Sequence, residues 1–219
     1  MIRLEGVTKS YNVPGGRHVV LDDVTFVLPP LCRIGIFGAN GAGKSALLRL
    51  IAGSEMPDSG RIVREGRVSF PVGFTGTFHP LLSARENVSF LARVYGMDHR
   101  EINDWIEAFA ELDRYFDMPV GTYSSGMFAR IAVATSFAFD FDLYLVDEVI
   151  EVGDAGFRKK CAAAFKERMK SASLILVSQH VDTIREYCDQ GAVLHGGKLS
   201  EFTTIDEALE NYERSLKST

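Results

Sequence analysis

Eight consecutive residues, Gly38-Ala39-Asn40-Gly41-Ala42-Gly43-Lys44-Ser45, hold three glycines, a lysine and a hydroxyl. Glycines let a backbone curl until several N–H groups aim at one anion. A lysine and a hydroxyl directly after them bring a cation and a metal-ligating oxygen to the same place. That set suits the phosphates of a nucleotide: Lys44 reaches the β- and γ-phosphates and Ser45 ligates Mg²⁺. Ala46 stands where many such loops carry a second hydroxyl, so one polar phosphate contact is missing. Farther on, the apolar run Leu143–Val146 ends in Asp147-Glu148. An aspartate there is the usual second partner of Mg²⁺, held partly through water. The adjacent Glu148 points to the other side of the chain, where it can act as general base on water beside the γ-phosphate. Ser124, Ser125 and Gly126 open a helical run, either as a second phosphate site or as ordinary helix caps. Tyr11 either stacks on a purine ring or packs as a surface tyrosine.

These groups need elements to hold them. Arg33–Phe37 is short and apolar enough for one buried strand, and Ala46–Ala52 reads as a helix, so the glycines lie in a strand–turn–helix P-loop. Ile2–Thr8 and Val24–Leu28 read as strands of a separate β-rich edge, with Pro14-Gly15-Gly16 as a turn and Tyr11 near it. Pro57–Gly60 turns into a strand at Arg61–Arg64, and Val68–Phe70 is a short strand stopped by Pro71. Val72–Pro80 is a loop whose Phe74 and Phe78 serve either the core or a docking surface. Ser83 with Glu86 forms a capping box, and the pattern is helical from Ala84 to Leu112 with a break near Gly96. Ile102, Trp105, Ile106, Phe109 and Leu112 mark one apolar face, the core of a small inserted helical lobe.

The second half repeats the alternation. Phe128–Phe139 reads as a helix, Leu143–Glu148 as a buried strand, Phe157–Met169 as a helix with Cys161 on its apolar face, and Leu174–Val177 as a strand ending in Ser178-Gln179-His180. A hairpin from Ala192 to Phe202 and a helix capped by Thr204 and Glu207 close the chain.

The 219 residues carry a formal charge of −5 and no long basic run, which argues against a nucleic-acid partner. Cys32, Cys161 and Cys188 are widely separated, so neither a zinc site nor a disulfide framework is expected, and a reduced, cytosolic compartment fits. The most apolar stretch, Ile131–Phe139, is too short to span a bilayer. Work at a membrane therefore requires another chain to do the spanning.

Taken together, the motifs resemble the ATP-binding subunits of ABC transporters over nearly the whole chain. The details look closest to the ATPases of capsular-polysaccharide exporters. That narrower match is carried by Pro57–Gly60, Arg85–Val88, Tyr115–Pro119, Tyr123–Met127, Asp147–Val149 and Val152–Ala155. The resemblance implies an α/β fold: a P-loop NTPase core with an N-terminal antiparallel β subdomain and an inserted α-helical subdomain at about 82–138, all in one ATPase domain spanning 1–219. It implies that two copies pair head to tail, each ATP lying between Gly38–Ser45 of one and Ser124–Gly126 of the other. It also implies a polytopic membrane permease as partner, which the helical lobe and the loop near Phe74–Pro80 would receive. The ATPase would sit peripherally at the cytoplasmic face of the bacterial inner membrane, with a lipid-linked capsular polysaccharide as cargo handled mainly by other chains.

Two positions depart from the family pattern. A glutamine usually senses the γ-phosphate and contacts the membrane subunit; the best match here is His79. A switch histidine normally follows the strand ending at Ser178; in ungapped register Gln179 holds that place and His180 falls one residue late. Either His180 swings in or Gln179 replaces it. Losing one preorganised donor costs on the order of 10²–10³ in rate elsewhere, so a slow or partner-dependent ATPase is expected.

Overall fold

A computed structural model describes residues 1–72, 76, 78–147, 153–178 and 180–217. Two compact units emerge. One holds the two sheets with the helices at 44–52, 181–187 and 205–217; the other holds the helices at 84–94, 99–110, 125–138 and 155–168.

The first unit has two sheets. The antiparallel sheet joins β1 (Ile2–Val13), β2 (Gly16–Leu28) and β4 (Ser59–Arg64) in the order β2-β1-β4. The second sheet runs β5-β6-β7-β3-β8-β9, from β5 (Val68–Val72), β6 (Leu143–Asp147), β7 (Ser173–Val177), β3 (Arg33–Phe37), β8 (Gln190–His195) and β9 (Lys198–Leu199). The pairs β6–β7, β7–β3 and β3–β8 are parallel. Their residues are buried nearly throughout, as parallel strands covered on both faces require.

Alternation along β3 assigns the faces. Ile34 and Ile36 join a core with Leu47, Leu48, Leu50 and Ile51 of α1 (Lys44–Ala52) and Ile2, Leu4, Val7, Leu21, Val24 and Leu28 of the hairpin. On the opposite face, a Cβ on Gly35 would meet Ile184 of α6 (Val181–Tyr187), and Phe37 stacks on Tyr212 of α7 (Ile205–Lys217) at 5.9 Å. The parallel sheet is thus covered by α1 on one side and by α6 and α7 on the other, with α1 between the two sheets.

The second unit comprises α2 (Ala84–Val94), α3 (His99–Ala110), α4 (Ser125–Ala138) and α5 (Ala155–Arg168). It takes in 72–140 and 149–170, so α5 belongs to it. The Ser83–Glu86 capping box is present in full. Phe109 gathers Phe137 and Phe157 edge-on at 6.4 and 5.7 Å, and Cys161 is fully buried.

Several expectations need correction. The hairpin strands are far longer than Ile2–Thr8 and Val24–Leu28, so Tyr11, near the turn as expected, lies within β1 opposite His18. Pro71 does not stop β5, which continues to Val72; β5 is the sheet edge, where a missing N–H is tolerated. Trp105 is 38% exposed and lies stacked on Phe109 at 4.7 Å, so it covers the lobe's core instead of filling it. The return strand of the final hairpin is short, Lys198–Leu199, but pairing continues past it through the Ser200 N–H on the Val193 carbonyl at 2.9 Å and an antiparallel bridge between Gly191 and Thr203; α6 has no counterpart in the sequence reading.

Candidate functional site

The loop Gly38–Ser45 follows β3, a central strand of the parallel sheet, at its carboxyl end. Gly41 and Gly43 adopt φ +79° and +101°, the left-handed conformation that lets successive N–H groups converge on an anion. Packing enforces the glycines too. A Cβ on Gly38 would lie 2.7 Å from the Leu194 carbonyl, and one on Gly43 would lie 2.7 Å from that of Val20. Lys44 is buried, and its Nζ donates to the carbonyls of Gly38 (2.6 Å) and Ala39 (3.0 Å), so the ammonium is drawn back over the loop. Ala42 N–H donates to the Ala39 carbonyl at 3.1 Å, closing the turn through Asn40. Ser45 is exposed, whereas Ala46 is 4% exposed and packs into the core. The methyl at position 46 therefore belongs to the α1 interface, leaving Ser45 as the loop's hydroxyl.

Asp147 ends β6 and is half-buried. It pairs with Val177 of β7, which pairs with Ile36 of β3, so carboxylate and loop leave the sheet at the same level. Two strand spacings put them about 10 Å apart at the backbone. One hydroxyl and one carboxylate are a fitting donor set for Mg²⁺, a hard ion that keeps several waters and takes the rest of its shell from phosphate. Among the described residues no group of three or more His, Cys, Asp or Glu could hold a metal by itself. Glu148 lies outside the described residues, as do Gln179 and Phe74. His180 is exposed at the start of α6, and its N–H donates to Ser178 Oγ at 2.9 Å.

Tyr11 is half-buried and fully engaged through its hydroxyl. It donates to Glu55 (2.7 and 2.8 Å to the two oxygens) and accepts from Arg49 at 3.0 Å. Burial and the Glu55 carboxylate push its phenol up, against a smaller opposing pull from Arg49. Burial alone would raise Glu55, but hydrogen bonds from Tyr11, Lys9 and Arg49 outweigh it and hold the carboxyl below its usual range.

In the helical unit Ser124 caps α4 by accepting the Met127 N–H at 3.3 Å. Ser124, Ser125 and Gly126 are all exposed, and a Cβ on Gly126 would meet nothing within 4 Å. The plain capping reading thus describes Ser124 within its own chain, while the two hydroxyls and the glycine stay accessible. His79 is exposed; its Nδ1 accepts the Leu81 N–H at 3.3 Å, and its backbone N–H donates to Asn87 Oδ1 at 2.7 Å. Phe78 is buried edge-on against Phe128, which answers its open assignment in favour of core.

Two supporting groups escaped the sequence reading. Asn87 is buried in α2, and its Nδ2 donates to the carbonyls of His79, Leu82 and Ser83, fixing the turn that carries His79. Its signal was a polar residue at a core-facing position of α2. Arg130 of α4 reaches Asp154 at 2.6 Å while Asp154 caps α5 through the N–H groups of Gly156 and Phe157. No spacing rule marks that pair, because its members are far apart in sequence.

Residues 21–151 match the ABC transporter family. The chain is a member of that family. The polysialic acid transport ATP-binding protein KpsT of Escherichia coli is 45% identical over 220 residues, covering 99% of this chain and all of KpsT. The capsule polysaccharide export ATP-binding protein CtrD of Neisseria meningitidis serogroup B is 43% identical over 212 residues, covering 97% of this chain and 98% of CtrD. The dimeric, post-hydrolysis structure of the ATP-binding cassette MJ0796 bound to ADP and Pi superposes with a TM-score of 0.78 at 21% identity, over 94% of this chain and 99% of that one. This ABC ATPase thus has the cassette fold expected of it. Among its described residues no helix is long and apolar enough to cross a membrane.

Proposed function

We propose that this ABC ATPase is the ATP-hydrolysing subunit of an exporter that moves capsular or a related cell-surface polysaccharide across the bacterial inner membrane. The carrying observation is the geometry of Gly38–Ser45: three glycines, of which Gly41 and Gly43 are left-handed and Gly38 and Gly43 enclosed, and a buried lysine folded over the loop. Near-full-length similarity to KpsT and CtrD supports the cargo class.

The loop's N–H groups and the positive end of α1 bind the phosphates. Lys44 leaves its two carbonyl acceptors for the β- and γ-oxygens, and Ser45 and Asp147 hold Mg²⁺, which neutralises phosphate charge when bound. Glu148 takes a proton from the attacking water. Tyr11 carries the purine. Ser124–Gly126 of a second copy, arranged head to tail, closes over the γ-phosphate, so hydrolysis releases the pair. His79 and either Gln179 or His180 face the γ-phosphate in place of the usual glutamine and histidine. The turn at His79 and the helical unit receive a permease at the cytoplasmic membrane face, and nucleic acid has no part.

A second reading is an ATP-binding, weakly hydrolysing docking subunit. It draws support from the spent Nδ1 of His79 and the glutamine at position 179. Steady-state ATP hydrolysis by the purified chain, beside Glu148→Gln, separates the two. Turnover that Glu148→Gln abolishes supports the motor. A wild-type chain that binds ATP and stays silent even with its permease supports the docking subunit.

A further inference from the structure

Tyr11 is held in an unusual way for an exposed hairpin. Its hydroxyl donates to one charged group and accepts from another, Glu55 at 2.7 Å and Arg49 at 3.0 Å, and Arg49 Nε closes the triangle on Glu55 at 3.0 Å. Lys9 braces the same carboxylate at 3.0 Å, donates to the Met56 carbonyl at 2.8 Å, and places its ammonium 5.5 Å from the centre of the Tyr11 ring. A network meant only to pin the hairpin to the helix has no need of the phenol, because Arg49 and Lys9 already pair with Glu55 directly. Tyr11 is the neutral member with both hydrogen-bonding capacities spent, so the network fixes the tilt and rotation of its ring.

The position of that ring relative to the loop follows from the backbone. Arg49 comes four residues after Ser45 on α1, so it shares that residue's face about 6 Å farther along the axis. The register passes from Lys9↔Leu21 to Ser10↔Val19, leaving Val20 as a bulged residue, and Val20 is the one that presses on Gly43. The hairpin therefore meets the loop at Val20 and the helix at Tyr11. Those two contacts bracket the span between phosphates and base.

We propose that Arg49 and Glu55 are positioning residues that pre-set the Tyr11 ring as a purine platform, so that affinity for the base, and not for the phosphates, depends on them. The inference rests on the reading of Tyr11 as the purine-stacking residue. A free tyrosine would be ordered only when the nucleotide arrives, and the ordering would be subtracted from affinity; the clamp removes that cost beforehand.

The test is calorimetric titration of the intact chain with Mg–ATP and, separately, with Mg–tripolyphosphate, which has the phosphates and no base. Tyr11→Phe keeps the ring and removes the clamp; Glu55→Ala removes the clamp from the other side. Each should raise the ATP dissociation constant about two- to tenfold and leave that for tripolyphosphate unchanged. Tyr11→Ala should raise the ATP value by about 5- to 100-fold. Equal weakening for both ligands in Tyr11→Phe would mean a merely structural network and overturn the proposal. So would wild-type ATP affinity in Tyr11→Phe beside a weakened Tyr11→Ala, which leaves the stacking role standing. Wild-type ATP affinity in Tyr11→Ala would overturn the stacking role and the clamp together. Tyr11→Phe decides the matter if Glu55→Ala does not fold.

Discussion

Two helix N-termini in this chain carry glycine and hydroxyl groups, and they are built in opposite ways. At α1 the glycines are compulsory: Gly38 and Gly43 have carbonyls where a Cβ would go, Gly41 and Gly43 are left-handed, and Lys44 is folded in among them. At α4, Gly126 has open space around it, lies in helical conformation, and stands beside two exposed serines. The chain's own packing explains the first set of residues; in the second it explains Ser124, the cap of α4, and gives no reason for Gly126. A glycine that its fold does not need leaves room for something outside the fold. On the proposed reading that is the γ-phosphate held by a second copy.

The sharpest way to break this contrast is to put the same methyl group at both sites. Gly43→Ala should cost about 2–4 kcal/mol of stability, from left-handed backbone strain and overpacking against Val20, read as a fall in the urea midpoint, and should abolish ATP binding. Gly126→Ala should leave the midpoint unchanged or raise it by up to about 1 kcal/mol, since alanine favours a helix, while suppressing ATP-driven pairing. Equal midpoints for the two variants would dissolve the contrast.

Chemistry gives the next effect. Glu148→Gln should lower kcat by about 10²–10⁴ without weakening Mg–ATP binding, because the loop and Lys44 are untouched; steady-state and binding assays read the two separately. Ser124→Ala is smaller: loss of the cap on α4 should cost about 1 kcal/mol, visible as a lower melting temperature before any nucleotide is added.

The smallest effect concerns the tether that holds the hairpin in place. Hydrogen bonds from the Ser10 hydroxyl and from Arg17 hold the Asp58 carboxyl down, from an ordinary 3.8 to about 2. A depressed folded value stabilises the fold above the unfolded one and is lost as pH falls through the folded one. The tether should therefore be intact at neutral pH and fade from about pH 4 to pH 2. Melting temperatures of wild type and Asp58→Asn should differ by a constant margin above that window and converge within it.

The parts legible in the sequence were those written in local chemistry. Gly38–Ser45 followed from glycine spacing and the strand before it. The boxes at Ser83–Glu86 and Thr204–Glu207 followed from side chains that reach three residues along the chain, and both are formed. Features set by distant partners were not legible. Pro71 sits within a strand because β5 is an edge, which depends on sheet order. Trp105 has the spacing of a core residue, yet Phe109 beneath it already fills the lobe. Tyr11 has the residue type of a stacking ring, but its anchors Arg49 and Glu55 lie 38 and 44 residues away. Arg130, whose partner Asp154 lies 24 residues on, belongs to the same class.

The central claim is that this ATPase holds one finished half-site and one half-site completed only by a second copy. It is tested most directly by sedimentation of the Glu148→Gln chain, with and without Mg–ATP, beside the same chain carrying Ser125→Glu. The account predicts that Mg–ATP converts Glu148→Gln from monomer to dimer, and that the added Ser125→Glu keeps ATP binding but stays monomeric. A Ser125→Glu chain that dimerises as well as its parent, or that loses ATP binding as a monomer, would contradict it.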